Sequence, residues 1–318
     1  MTTGIRAGAN SSDARFALVP EVAWGTTPAT PAFKNLRMLS ESIQVSKNTV
    51  RSEEIRPDRN VADEIMVGRS AGGDISFELS YGTYDELFES LFNNAWATNV
   101  LKNGTAETKA FTGERTLKLA DASSHYTRYQ GLVVNTMSLD IASGQKVTGS
   151  FGLMGKFGSA GTAAIAGATY ATASTAPIMN AAAHFASLSM TGITSPRIKR
   201  ITLNATNNMR GQDAVGSLDN VGLANGRFEV SGSIEAYFQA GFLDAFLNHT
   251  DLALAFTIGA EAGSRYRFTI PTIKLTGSPG GNAGGNDNDV MSTVNFTAIL
   301  DRLTGTPLGC ALQLERAV

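Results

Sequence analysis

Apolar and polar residues alternate with a period of two along much of this chain, a pattern that predicts strands with one wet and one buried face. From Asp74 to Tyr81, Ile75, Phe77, Leu79 and Tyr81 are apolar while Asp74, Ser76, Glu78 and Ser80 are polar. Val133, Met137, Leu139 and Ile141 stand against Thr136, Ser138 and Asp140. After Ala142-Ser143-Gly144-Gln145 the phase resumes at Val147, Phe151 and Leu153, which predicts a hairpin. Further strands are predicted around Ile201, Leu203 and Ala205; from Phe228 to Phe238; at Tyr266, Phe268 and Ile270; from Val294 to Leu300; and from Leu308 to Leu314. One clear helix interrupts them: Thr83-Tyr84-Asp85-Glu86 has capping-box spacing and Leu87, Phe88, Leu91 and Phe92 form a stripe before Asn93-Asn94, predicting about three turns.

The same segment recurs in the second half. Gly68-Arg69, the strand from Gly73 to Leu79, Gly82 and a helix with Asp85, Leu87 and Phe88 are matched by Gly226-Arg227, the strand from Gly232 to Phe238, Gly241 and a helix with Asp244, Phe246 and Leu247. From Gly73 to Gly232 the offset is 159 residues, and it stays constant onward. Ordered recurrence of strand, glycine, acidic residue and helix points to tandem duplication. Gly158 to Ala176 holds no charged residue and is almost all Gly, Ala, Ser and Thr, the composition of a flexible linker. The expected division is therefore 1–157, a linker at 158–176, and 177–318. Two polar stretches break the alternation: Ser46 to Gly72, read as a long charged loop, and Gly277 to Asp289, read as a mobile loop of Gly, Asn and Asp.

Composition agrees with an antiparallel β protein: 33 glycines, 17% charged residues, and 42% hydrophobic residues over 318 positions. Twenty-six Lys plus Arg against 28 Asp plus Glu leave a net charge of -2, which argues against tight nucleic-acid binding. The single cysteine, Cys310, and three scattered histidines, His125, His184 and His249, form neither a disulfide nor a zinc pattern. Met1 to Arg15 lacks the apolar core of a secretory signal and reads as a flexible arm. The longest apolar run, Leu252 to Ala260, is far short of the roughly 18 residues of a membrane helix.

Candidate chemistry is sparse. The chain has no Gly-x-Ser-x-Gly elbow, phosphate-binding loop or His-Glu-x-x-His motif, and no cofactor or metal is expected. The Gly280 to Asp289 run lacks both EF-hand spacing and a strand-to-helix setting. Glu53 and Glu54 alternate with Arg51, Arg56 and Arg59, mixed charge better suited to contacts with another chain than to acid-base work. Strand edges in so lightly charged a protein need cover, and ring closure between subunits is one way to supply it.

Ser42 to Arg56, Gly72 to Asp85 and Tyr129 to Leu139 resemble the major tail tube proteins of long-tailed (siphophage-like) bacteriophages. The resemblance implies a mainly β fold, an antiparallel β-sandwich or barrel with a short flanking helix. In it, inner sheets join between subunits around a lumen and rings stack into a tail that conducts DNA without binding it. Two copies per chain then imply trimeric rings with pseudo-sixfold symmetry; one elaborated domain per chain would imply hexamers. Arg51, Glu53, Glu54, Arg56, Asp58 and Arg59 are the expected inter-ring contacts, and Asp74, Glu78, Glu229 and Glu235 the expected lumen-facing acids. Expected partners are further copies of the chain, a tape-measure protein and terminator or tip proteins, with assembly in the bacterial cytoplasm and the virion tail as destination. The competing class is a β-rich binding or surface module, carbohydrate-binding or pilus-like, which predicts exposed aromatics on one sheet face. A hydrolase would need a clustered acid pair or triad.

Overall fold

The structure, a computed structural model, describes residues 7–105, 109–259, 261–283, 285–301 and 308–316. Its first half runs β1 (Arg15–Pro20), β2 (Ala32–Asn35), β3 (Ser40–Glu41), β4 (Gln44–Arg51), β5 (Glu64–Glu78), α1 (Asp85–Phe92), β6 (Val100–Lys102), β7 (Phe111–Lys118), β8 (Ser124–Ala142), β9 (Thr148–Gly155), β10 (Phe157–Gly161) and β11 (Thr169–Ala171). The second continues β12 (Phe185–Met190), β13 (Ile198–Thr206), β14 (Arg210–Gln212), β15 (Gly222–Ala224), β16 (Glu229–Tyr237), α2 (Ala240–Leu247), β17 (Leu252–Ile258), β18 (Tyr266–Leu275), β19 (Met291–Ala298) and β20 (Gln313–Arg316).

The fold is mainly β, and its ladders are antiparallel except for β11 beside β2. Pairing sorts the strands into corresponding sets. In the first half β2, β1, β7, the start of β8 and β10 pair in that order, while β4, β5, β9 and the end of β8 make a second layer. In the second half β12, β17, β18 and β20 pair in one series, which β6 of the first half extends, and β13, β16, β19 and the end of β18 in the other. β8 serves both first-half layers by turning at Gly131, whose φ of +70° favours glycine and where a Cβ would stand 2.8 Å from Trp24 Nε1. Trp24 Nε1 in turn donates to the Gly131 carbonyl at 3.0 Å.

One apolar core spans both halves. Phe77 stacks on Phe151 at 4.7 Å between ring centroids, Phe88 of α1 meets Phe151 edge-on at 5.5 Å, and the same ring meets Tyr266 of β18 at 5.8 Å. Gly82 N donates to Tyr266 Oη at 2.8 Å, and that hydroxyl donates to Asp85, which also receives Arg316 of β20 at 2.5 Å. The first-half helix is thus held by second-half strands.

Several sequence-level expectations need correction. α1 has eight residues, about two turns, and Thr83 does not cap it: its hydroxyl pairs with Ser80 Oγ at 2.7 Å. Tyr84 holds the cap position without a side-chain cap, because its buried ring carries the hydroxyl inward to the carbonyls of Arg37 (2.9 Å) and Glu78 (3.1 Å). Asn93, in the left-handed region at φ 49°, ends the helix as expected.

Ser46 to Gly72 is not a loop but most of a long β4–β5 hairpin. Its charges mask a strand pattern that has no buried face to write into the sequence. Residues 158–176 are not a free connector either: β10 pairs with β8 from Phe157↔Gln130 to Gly161↔Tyr126, and Tyr170 stacks on Phe33 at 5.4 Å. Backbone pairing and one aromatic suffice where small side chains bury little. The Leu308 to Leu314 alternation yields a strand only at β20, and Phe228 and Phe238 fall outside β16. Met1 to Arg6 of the expected N-terminal arm lie outside the described residues, and Arg15 is fixed by its bond to Thr116 Oγ1 at 2.8 Å.

Candidate assembly surfaces

Two surfaces stand out, the broad polar side of a half-buried sheet and an arm with no buried side. The first is the polar side of a sheet that runs without interruption through β5, β9, β8, β13, β16 and β19. Cross-strand partners share a face, so the register can be read across it. Ser76, Ser150, Ser138, Asn204, Ser231 and Thr297 form one row, and Glu78, Thr148, Asp140, Thr202, Ser233 and Asn295 the next. Rows beneath the sheet are apolar: Ile75, Phe151, Met137, Ala205 and Val230 lie opposite one another and are buried.

This face joins the halves. β8 and β13 pair over seven positions, from Arg200↔Ala142 to Thr206↔Thr136, as two strands of one sheet. Its hydroxyls bond across strands, Ser138 to Ser150 at 2.8 Å and Thr202 to Ser233 at 2.7 Å. Asp74 and Glu78 of β5 and Glu229 and Glu235 of β16 all stand on it, with β9, β8 and β13 between the two strands. Most of its charge is compensated. Glu78 meets Lys146, Glu235 meets Lys199 at 3.5 Å, Glu229 meets Arg227 at 3.7 Å, and Asp140, a polar position of the alternation that was not among the expected lumen-facing acids, receives Nε and Nη2 of Arg200 at 2.7 Å each. Glycine keeps the face low beside Asp74: a Cβ on Gly152 would stand 2.2 Å from Thr136 Oγ1 and 2.9 Å from Asp74 Oδ1.

The second surface is the β4–β5 hairpin with its turn at 52–63. Every residue of β4 is exposed, and so are Glu64, Ile65, Met66 and Val67 of β5, so both faces of this arm meet water. The arm gathers the six charged candidates. Arg56 holds Glu54 at 3.0 Å and Asp58 at 2.9 Å, Arg51 holds Glu64 at 3.1 Å, and Glu53 and Arg59 lie in the same turn, Arg59 at φ 60°. The Arg56 guanidinium keeps the Asp58 carboxyl down at about 2.

Sequence reasoning missed two features of the arm. Ile55 and Val61, with Val50 and Ile65, are exposed apolar side chains among the charges; their signal was present but overshadowed by the ion-rich composition. The arm's root is also clamped to the loop after β14: Arg69 N donates to the Leu218 carbonyl at 2.8 Å, and the Arg69 guanidinium grips the Asp219 carboxylate through Nε and Nη2. A contact across 150 residues has no local signature.

Several polar groups outside these two surfaces are held within the fold. Glu114 is fully buried, yet it is met by Arg128 at 2.9 Å, Arg15 at 3.4 Å and the Tyr170 hydroxyl at 2.6 Å, and burial together with this carboxylate pushes that phenol up to about 12. Burial also raises the Cys310 thiol to about 11. His184 Nδ1 accepts from Asn180 N at 3.2 Å, as a turn brace. Among the described residues no group of His, Cys, Asp and Glu has the clustering of a metal centre, and no helix is long and apolar enough to cross a membrane.

Compared with known proteins, residues 11–298 match a family model described as phage tail tube protein. No curated protein matches the chain.

Proposed function

The chain belongs to the phage tail tube protein family, structural components of the virion tail that assemble into a tube, and on that premise we propose that three copies close each ring. Each chain would supply two of six tube-like units, one from 1–157 and one from 177–318. The observation that carries this reading is the β8–β13 pairing, which makes the polar-faced sheets of the two halves one sheet. A surface already continuous within the chain needs only the same junction between chains to close into a cylinder.

In this reading the Ser/Thr-rich face, with Asp74, Glu78, Glu229 and Glu235, lines the lumen. Its cations Arg200, Lys146 and Lys199 are engaged by carboxylates, so few remain to hold phosphates and DNA can pass during delivery without being retained. The arm, with Arg51, Glu53, Glu54, Arg56, Asp58 and Arg59, grips the adjacent ring. A two-stranded ribbon wet on both faces is marginal alone and gains from such cover. Tape-measure and terminator or tip proteins are the further partners, assembly takes place in the host cytoplasm, and no reaction is involved.

End-on negative-stain images of purified protein at high concentration, rotationally averaged, test the ring. Three strong and three weaker lobes are expected. Six equal lobes, each one chain, would discard the trimer and keep the tube, whereas a persistent monomer would overturn the assembly reading.

A further inference from the structure

The β8–β13 junction inside the chain offers a template, residue by residue, for a junction between chains. The correspondence rests on pairing register. Gly73 faces Leu153 and Gly232 faces Phe296; Leu153 then faces Val134, and Phe296 faces Leu275. Leu275 in β18 therefore stands where Val134 stands in β8.

Beyond that point β8 continues as a strand, whereas β18 ends at Leu275 and the Gly-rich segment begins. The segment nonetheless keeps the register. Between Val134↔Leu153 and Leu139↔Gly149, β8 advances five residues against four on β9. Between Leu275↔Phe296 and the bridge Gly280↔Ser292, the second-half chain also advances five against four, and Thr276 N still donates to the Asn295 carbonyl at 2.8 Å. Residues 276–283 thus occupy the place of the half of β8 that pairs with β13, without being a regular strand. Gly280 and Gly281, at φ +74° and +92°, hold the segment out of extended geometry. Gly284, within the expected 277–289 loop, lies outside the described residues.

The opposite end of the sheet is the counterpart of β13. Leu203 faces Gly232, and Ile43 falls opposite Gly73, between the bond from Ser42 N to the Asp74 carbonyl (2.9 Å) and the pair Gln44↔Gly72. Both Leu203 and Ile43 are fully buried. In β13, Leu203 faces Leu139 of β8; at Ile43 the outward positions are taken by side chains instead. The Ile43 amide donates to Glu41 Oε2 at 3.1 Å, its carbonyl accepts from Arg115, and Arg115 is paired with Glu41 at 2.5 Å.

Resting on the ring reading above, we infer that Ser40–Ser46 of one chain pairs antiparallel with residues 277–283 of a second copy, in the β8–β13 register. Ser46 then faces Gly277, Val45 faces Ser278, Ile43 faces Gly280 and Glu41 faces Asn282. The segment extends into a strand as it pairs, and the Glu41–Arg115 pair yields the Ile43 backbone groups to the incoming chain. Both free edges are blunted until then, one by left-handed glycines and the other by an ion pair, as an edge that must await its partner requires. Ser278, Gly280 and Asn282 fall where β8 places Met137, Leu139 and Ile141, so the waiting edge exposes no large apolar side chain.

The test is a cysteine pair at Ser46→Cys and Gly277→Cys, with buried Cys310 left in place, and a register control at Ser40→Cys and Gly277→Cys. The first pair occupies a close cross-strand position within disulfide reach, and the second is six residues out of register. On mild oxidation of assembled material the first is expected to yield covalent multimers at least about tenfold more than the control; equal yields overturn the register. Hydrogen exchange on the unmodified protein is the second readout, with the outward-facing amides of Glu41, Ile43, Val45, Ser278, Gly280 and Asn282 slowing roughly a hundredfold on assembly. Wild-type tubes without that slowing overturn this junction alone, whereas a wild-type chain that never assembles overturns the tube reading itself.

Discussion

Gly232 illustrates how single residues set the thickness of the sheet. A Cβ there would stand 2.1 Å from the Thr202 carbonyl and 2.6 Å from Phe296 Cζ, and Gly149 is likewise roofed by Phe77 Cζ at 2.7 Å. Each half uses a glycine to let a phenylalanine ring approach the strand backbone. Gly232→Ala should therefore destabilise the subunit by about 2 kcal/mol through overpacking, read as a lower urea midpoint. Gly68→Ala, with its nearest neighbour at 3.5 Å, should stay within about 0.5 kcal/mol of wild type. Equal effects at the two sites would refute the packing account. Asp58 supplies a second residue-scale test. Its folded carboxyl is depressed to about 2 by Arg56, so its contribution is present above the ordinary aspartate value near 4 and is lost as pH falls toward 2. Carboxyl NMR should show that titration midpoint in the wild type and its return toward about 4 in Arg56→Gln.

At the scale of elements, the arm is the feature whose form the sequence hid. Strand alternation is legible only where one face is buried, as in Ile75, Phe77 and Leu79. In β4 every side chain is exposed, so Lys47, Asn48, Thr49 and Arg51 read as loop although they pair with β5, with one register shift between Asn48 and Thr49. Because Arg56 and Arg59 lie in the exposed turn, replacing both by Glu should leave the circular dichroism spectrum unchanged and abolish tube growth in electron micrographs. Unchanged tube length would remove those residues from the stacking contact. The helices show a related contrast. α1 buries Leu87, Phe88, Leu91 and Phe92, as its stripe predicts, whereas α2 buries only Phe242 and Ala245 and leaves Leu247 exposed. The sequence recurrence therefore reproduces element order without reproducing what covers each element.

In the whole molecule, the two halves repeat a pairing plan yet share one core, tied by Phe88 to Tyr266 and by Arg316 to Asp85. The sequence by itself determined the local terms: strands wherever a period of two met a core, the helix after Gly82, low net charge and the absence of recognisable catalytic spacing. Those terms are legible because alternation, turn chemistry and charge are carried by neighbours along the chain. The four acidic positions could be assigned to polar faces in the same way, but their meeting on one sheet depends on β8 pairing with β13, and the cations that meet Glu78, Glu229 and Glu235 lie outside their strands. Only the tertiary structure decided that junction, the clamp of Arg69 on Asp219, the pairing of β10 and β11, and the conversion of a charged stretch into an arm. Each depends on contacts between residues distant in the chain, whose partners are chosen by register and burial, and no local pattern encodes either.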